Sequence, residues 1–430
     1  MKYEAIPSRL FEQNRQRFIK QMKPNSVAIF PASPTLPKSG DGVYTNVPDA
    51  DILWLSGIVQ EKTMVILYPD NPDKNAREIL VLLRPNDLLE KWVGHKLRKN
   101  EATAISGIKN VQWLDGLDVM LQVMMNSADT VYVNSNEHNR LDTELPRLDL
   151  EFAHSLMQKY PLHHYERAAR IIKELRCIKL KEEIDITQVA VDITGKALNR
   201  VLKFVKPGVM EYEIEAEIIH EFIRNRATGH AYDPIIASGD RARVLHYVDN
   251  NNVCKDGELI LMDFGAQYGN YNADLTRTIP VNGKFSKRQK EVYNACLAVH
   301  NFGKKLLKPG IAFPDYAKKL NEEMEKQLLN IGLINKNDIK NQDPENPAYR
   351  KYFYHNPTHH LGLVVHDVGS YTDTVKEGML FTVEPGIYIE EEQMGIRIEN
   401  NIWITKAGHV DLFKNIPITV EEIEAVMKKK

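Results

Sequence analysis

Two aspartates interrupt the strand-forming stretch LILMDFGAQYGNYNADLTRTIPV, residues 259–281, at Asp263 and Asp274. A hairpin turning near Tyr268–Gly269 sets these carboxylates side by side on one face. Two adjacent ionised carboxylates repel unless a proton or a cation lies between them. The pattern recurs in FTVEPGIYIEEEQMGIRIENNIWIT, residues 381–405, where Glu384 and Glu399 stand among Val, Ile and Tyr. Glu390, Glu391 and Glu392 form a charge cluster expected at the solvated tip of that hairpin. Between the two hairpins, YHNPTHHLGLVVHDVGS places His355, His359, His360 and His366 within residues 354–370.

Four carboxylates with an imidazole make a hard, oxygen-rich donor set suited to two divalent ions about 3.5–4 Å apart. Mn²⁺ is favoured, with Zn²⁺, Co²⁺ or Fe²⁺ as alternatives, whereas structural zinc calls for thiolates. Two such ions are expected to hold a bridging hydroxide as nucleophile near neutral pH and to polarise a carbonyl, which suits hydrolysis of an amide. One glutamate is expected to carry a proton to the leaving nitrogen, and a histidine outside the donor set to stabilise the developing oxyanion. His246, in SGDRARVLHYVDN, and His366 are the candidates for that second task.

The elements that must position these residues are written twice. FVKPGVMEYEIEAEI near residue 206 is echoed by LLKPGIAFPDYAKKL near residue 308, each between helical patterns. Each is followed by a histidine and an acid-bearing hairpin: His246, Asp263 and Asp274 in the first half, His359, Glu384 and Glu399 in the second. This order predicts a pseudo-twofold internal duplication whose hairpins face each other. Upstream, a helix at about residues 8–22 is followed by the strand-like runs SVAIFPA, ILWLSGI, TMVILYP and EILVLLRP and by the helical stretch GLDVMLQVMMNS. These predict a small α/β domain over 1–163. From 164 onward long helical patterns precede short strands, predicting a second, larger domain over 164–430 in an α/β (α+β) chain.

Composition narrows the function. The 430 residues carry a formal net charge of -2 with 27% charged residues, giving no basic field for nucleic acid and no polybasic membrane anchor. Cys177, Cys254 and Cys296 lie far apart with no paired spacing, so neither a disulfide framework nor a thiolate metal site is expected. MKYEAIPSRLFEQNRQRFIKQM lacks the continuous apolar core of a signal peptide, and no window approaches 18 uninterrupted apolar residues. A cytoplasmic protein acting on a small molecule or peptide is expected.

The order MDFG, ADLTRT, THHLGLVVHDVG, TVEPGIYI and GIRIENN closely resembles the pita-bread metallopeptidases, the family of Xaa-Pro aminopeptidases and prolidases. The resemblance covers nearly the whole chain, with YTNVPDADILWLSGI similar to the family's N-terminal domain. It implies a pita-bread catalytic domain and a metal set of Asp263 on one ion, Asp274 and Glu399 bridging, and His359 and Glu384 on the other ion, with Glu384 also the proton shuttle. It also implies that His246 and His366 contact substrate and the tetrahedral intermediate, that Arg397 supports the bridging glutamate, and that His355 is a further active-site histidine. Trp92, in EKWVGHKL, resembles a tryptophan that approaches the substrate pocket across a subunit interface; an ordinary core tryptophan is the alternative. The implied activity is release of the first residue from peptides with proline second, by a homodimer or homotetramer. Prolidase, acting on dipeptides, is the nearest alternative, and a binding-only member of the fold a distant one. The chain departs from the family pattern in a short segment between Glu384 and Glu399, and in His360 where bacterial relatives often carry an apolar aromatic.

Overall fold

The computed structural model describes residues 2–44, 49–138 and 147–428. Residues 45–48 of YTNVPDADILWLSGI lie outside the described residues. The chain forms two compact units, Ala5–Arg176 and Met1–Glu4 with Cys177–Lys430.

The first unit is built on a mixed six-stranded sheet. Its strands are β1 (Ser26–Pro31), β2 (Met64–Leu67), β3 (Glu78–Leu82), β4 (Asn110–Trp113), β5 (Thr130–Val133) and β6 (His164–Arg167), in the spatial order β4-β3-β2-β1-β5-β6. The amphipathic N-terminal segment is helix α1 (Ser8–Ile19), burying Leu10, Phe11 and Phe18. ILWLSGI, expected as a strand, is helix α2 (Ala50–Ser56), ended by Gly57 at φ 69°. Ile52, Leu53, Trp54 and Leu55 are all buried, and a short apolar run of this kind has no periodicity to separate helix from strand. Asp51 on α2 accepts from Arg176 Nη1 at 2.7 Å and from Asn134 Nδ2 at 2.8 Å. That pairing, and the parallel pairing of β6 with β5, carry the first unit to Arg176, past the boundary drawn at 163/164. Trp92 lies in the short helix α3 (Asp87–Val93) and is 84% exposed, which excludes a core role within the chain.

The second unit repeats one arrangement. Helix α5 (Lys181–Phe204), which follows the first unit's last helix α4 (Ala168–Cys177), packs on α6 (Glu211–Arg224), while α7 (Lys287–Leu306) packs on α8 (Phe313–Asn330). Each pair is joined through Lys-Pro-Gly, with Gly208 at φ +91° and Gly310 at φ +93°, a left-handed conformation that a Cβ penalises. Gly208 N donates to Cys254 O at 2.8 Å, and Gly310 N donates to Val375 O at 2.9 Å. Glu211 N and Phe313 N likewise donate to Asn252 O and Asp373 O, both at 3.0 Å. The same ties therefore hold each helix pair to the segment that enters its hairpin.

In the first hairpin β7 (Ile235–Ser238), β8 (Leu259–Phe264) and β9 (Leu275–Pro280) form an antiparallel sheet with β8 central. Asp263 pairs with Thr276, and the ribbon continues beyond Phe264 to Tyr268 opposite Tyr271. The turn therefore centres on Gly269–Asn270, not Tyr268–Gly269. Asp263 and Asp274 become diagonal neighbours, and they keep a common face because the offset is two residues. In the second hairpin β10 (Leu380–Val383) pairs with β13 (Asn400–Thr405), and β11 (Gly386–Ile389) with β12 (Met394–Arg397), all in one register. Glu384 and Glu399 fall opposite each other in the gap between these ladders, while Glu390, Glu391 and Glu392 are exposed at the tip.

Gly265 allows the first hairpin to close, since a Cβ there would lie 1.8 Å from Ala273 O. That neighbour is backbone next to Asp274 and has nowhere to move cheaply. Gly265→Ala is expected to cost at least about 1–3 kcal/mol of stability, read as a lowered denaturant midpoint, with the metal affinity of the folded fraction also reduced.

Candidate metal centre

The carboxylates of both hairpins meet at the centre of the second unit. Asp274, His359 and Glu399 each offer a ligand atom, all within 4.8 Å of one another. His359 Nε2 lies 3.4 Å from Asp274 Oδ2 and 3.5 Å from Glu384 Oε1. Asp263, Asp274, His359 and Glu399 are between 1% and 9% exposed, so water screens their charges little. His359 Nδ1–H donates to His360 O at 2.9 Å, which fixes the tautomer and leaves Nε2 as the lone-pair nitrogen facing the acids.

The strands are locked together beneath these groups by the residues between the acids. Thr276 Oγ1 donates to Glu399 Oε2 at 2.7 Å, and Glu399 N donates to Thr276 O at 3.1 Å. Asn401 spans the hairpins, Nδ2 donating to Asp274 O at 2.7 Å and Oδ1 accepting from Asp274 N at 3.1 Å. Fully buried Arg277 donates to Thr276 O, Glu399 O, Asn400 Oδ1 and Pro417 O.

Arg397 is brought to the site, though not by direct contact with Glu399. Its Nη2 donates to Asp263 Oδ2 at 2.6 Å, its Nε to Thr276 Oγ1 at 3.2 Å and its Nη1 to Tyr388 Oη at 3.0 Å. Thr276 Oγ1, which accepts from Arg397 and donates to Glu399, links the two. Tyr388 Oη also meets His355 Nε2 at 2.9 Å. Burial, and after it the Arg397 guanidinium, push His355 down to about 3, so it is neutral at pH 7. The His366 ring stands perpendicular to that of His359, centroids 4.3 Å apart. His246 is exposed on the loop after the short 3₁₀ turn Gly239–Arg243. His360 points away into the core, 4.5 Å from the Phe381 ring and 5.3 Å from that of Tyr371, and so fills an aromatic place with an imidazole.

Tyr232, Thr276, Tyr388 and Asn401 were not singled out from the sequence. Thr276, Tyr388 and Asn401 stand inside the motifs ADLTRT, TVEPGIYI and GIRIENN, where alternation along a strand is the signal that could have found them. Nothing local marks Tyr232, whose hydroxyl lies 2.5 Å from Asp263 Oδ1 and also contacts Asp274 Oδ1.

The donor set fits divalent cations. Glu399 Oε1 is buried with no hydrogen-bond partner, an acceptor left facing the cluster. Burial first, and then the neighbouring carboxylates, push Asp274, Glu384 and Glu399 well above the usual carboxylate range. Acids that ionise near 4 in an unfolded chain but hold protons when folded lower the stability of the metal-free protein as pH rises from about 4 toward their raised values. A bound cation reverses that preference. Calorimetric titration of metal-free protein with Mn²⁺ at pH 7, in two buffers of different ionisation enthalpy, is expected to show net proton release. Zero release would mean that the acids are ionised without a cation.

Comparison with known proteins agrees with this geometry. The model of metallopeptidase family M24 matches residues 185–406, and that of the aminopeptidase P N-terminal domain matches residues 11–132. The Xaa-Pro aminopeptidase of Escherichia coli (strain K12) is 32% identical over 434 residues, 97% of each chain. A Bacillus anthracis structure provisionally assigned as an aminopeptidase P superposes with a TM-score of 0.91 at 36% identity, covering 98% of this chain and 99% of that one. The E. coli aminopeptidase P structure with the inhibitor Pro-Leu superposes with a TM-score of 0.87 at 29% identity over 99% of both chains. These relatives share the pita-bread fold with a separate N-terminal domain, and their family works with divalent metal ions. A buried carboxylate–imidazole cluster on two facing hairpins, in a chain matched from end to end, means that this protein belongs to metallopeptidase family M24.

Proposed function

We propose that this protein is a metal-dependent Xaa-Pro aminopeptidase that releases the first residue from peptides with proline second. The observation that carries the proposal is the meeting of Asp274, His359 and Glu399 with Glu384, and with Asp263 joined to Asp274 through Tyr232, in a chain similar over 97% of its length to such an enzyme. Two divalent ions held by those five residues, with Mn²⁺ the proposed metal, supply water activation and carbonyl polarisation.

Glu384 takes up a proton and delivers it to the leaving proline nitrogen, a role supported by its raised proton affinity beside His359. His366, against the His359 ring, and His246 contact substrate and the developing oxyanion. Neutral His355 lines the site through Tyr388. Arg397 holds Asp263 and, through Thr276, orients Glu399. The proline ring suits an apolar wall, and its imide nitrogen makes the bond resistant to general peptidases. Exposed Trp92 is assigned to a neighbouring subunit's pocket in a homodimer or homotetramer. The proposed compartment is the cytoplasm; among the described residues no helix is long and apolar enough to cross a membrane.

Hydrolysis of an Xaa-Pro dipeptide and an Xaa-Pro-Pro tripeptide, compared with Mn²⁺ and with chelator, tests the assignment. Metal-dependent cleavage of the tripeptide is expected; cleavage of the dipeptide alone would identify a prolidase. Asp274→Asn and Glu399→Gln should each abolish turnover while leaving the fold intact, because each removes charge from among the cations. Near-normal turnover in either, with metal content verified, would overturn the dinuclear assignment. His246→Ala and His366→Ala should instead retain metal and lose about 10²–10³-fold in kcat.

A further inference from the structure

His246 is held by a loop with no regular secondary structure between Val244 and Asn250, yet the residue beside it is anchored deep in the protein. Tyr247 is only 8% exposed, packed with Ile235, Ala237, Leu261 and Tyr388, and its hydroxyl donates to Glu211 Oε2 at 2.8 Å. Glu211 is fully buried, and among the described residues no Lys or Arg pairs with it. Instead it collects donors from both ends of the loop: Ser238 N and Ser238 Oγ on Oε1, each at 2.7 Å, and Asn252 N on Oε2 at 2.9 Å. Asn250, also buried, closes the loop by donating to Glu215 Oε2 and Pro234 O and accepting from Ile236 N. A buried carboxylate is tolerated when it accepts several hydrogen bonds, and removing one donor leaves it under-satisfied.

We infer that Glu211 and Tyr247 form a clamp that positions His246, making both of them positioning residues for the reaction. Glu211 gathers the entry, the middle and the exit of the loop onto one carboxylate. Tyr247 links that carboxylate to the backbone that carries the imidazole. Because the backbone around Tyr247 has no ladder of its own, the side-chain hydrogen bond decides where the imidazole sits. The reach of the clamp to catalysis rests on the proposed role of His246; the ordering of the loop does not.

The test is Tyr247→Phe, which keeps the ring and its packing and removes only the hydroxyl, made in the full-length metal-loaded protein and in His246→Ala. Hydrogen exchange is expected to quicken over residues 239–252 and to stay unchanged over 259–281 and 381–405. With an Xaa-Pro-Pro tripeptide, kcat is expected to fall on the order of 10- to 100-fold with little change in KM, and metal content to hold. In His246→Ala the same substitution should cost no more than about twofold, since its effect passes through the missing imidazole. Glu211→Gln, which turns an amide NH₂ toward a donor, should quicken exchange in the same segment to a greater degree. Unchanged exchange in both variants, or an equal loss of kcat with and without His246, would overturn the clamp. A wild-type protein that cleaves no Xaa-Pro peptide would remove the proposed function instead, and the exchange measurement would still judge the clamp.

Discussion

Asp274 and Glu399 come within reach of each other, of Glu384 and of His359 in a site with almost no water to screen them. Carboxylates repel across so small a distance, and each is costly to ionise in a buried place. Either they keep protons or a cation lies among them. Each later feature of the second unit, from hairpin register to buried arginine, keeps this unfavourable arrangement from relaxing. Without that rigidity the acids would move apart toward solvent and the site would lose its affinity for cations.

The restraint comes from polar groups between and behind the acids. Thr276 and Thr278 face β12 and Glu399, while Arg277 points the other way and satisfies carbonyls of both hairpins. Asn401 copies a backbone pairing across the gap with two hydrogen bonds to Asp274. A buried donor left unmade costs about 1–3 kcal/mol, so this network resists any slip that would separate the strands. Arg397 adds a positive charge on Asp263 and shares Thr276 with Glu399, coupling the outer acid to the inner one.

Around this rigid centre the histidines stand on less regular segments. His359 and His366 stand on a chain held by Gly369, which leaves room for the ring of His360; a Cβ there would lie 1.9 Å from His360 Cδ2. His246 stands on a loop tethered to the N-terminal turn of α6 through Glu211. The four acids thus stand on or directly beside the hairpin strands and the histidines on loops, a division that lets loop shape vary without disturbing the acids.

The acids, the His cluster, the duplicated Lys-Pro-Gly helix pairs and the facing hairpins were legible in the sequence, because charges inside strand-like runs and repeated turn signals are local patterns. The registers were not. A turn centred one residue later made Asp263 and Asp274 diagonal neighbours, in a register that brings Gly265 close to Ala273 O. ILWLSGI became a helix because burial on all sides erased the alternation that separates strand from helix. The first unit ran on to Arg176 because that residue's partner, Asp51, lies far away in sequence. Thus the sequence alone determined the chemical type of the site, a cluster of acids and imidazole that calls for cations. The tertiary structure decided the partners of each charge: Arg397 with Asp263, Tyr232 between two aspartates, and Glu211 beneath the His246 loop. Those pairings join residues that only folding brings together, so no local spacing could announce them.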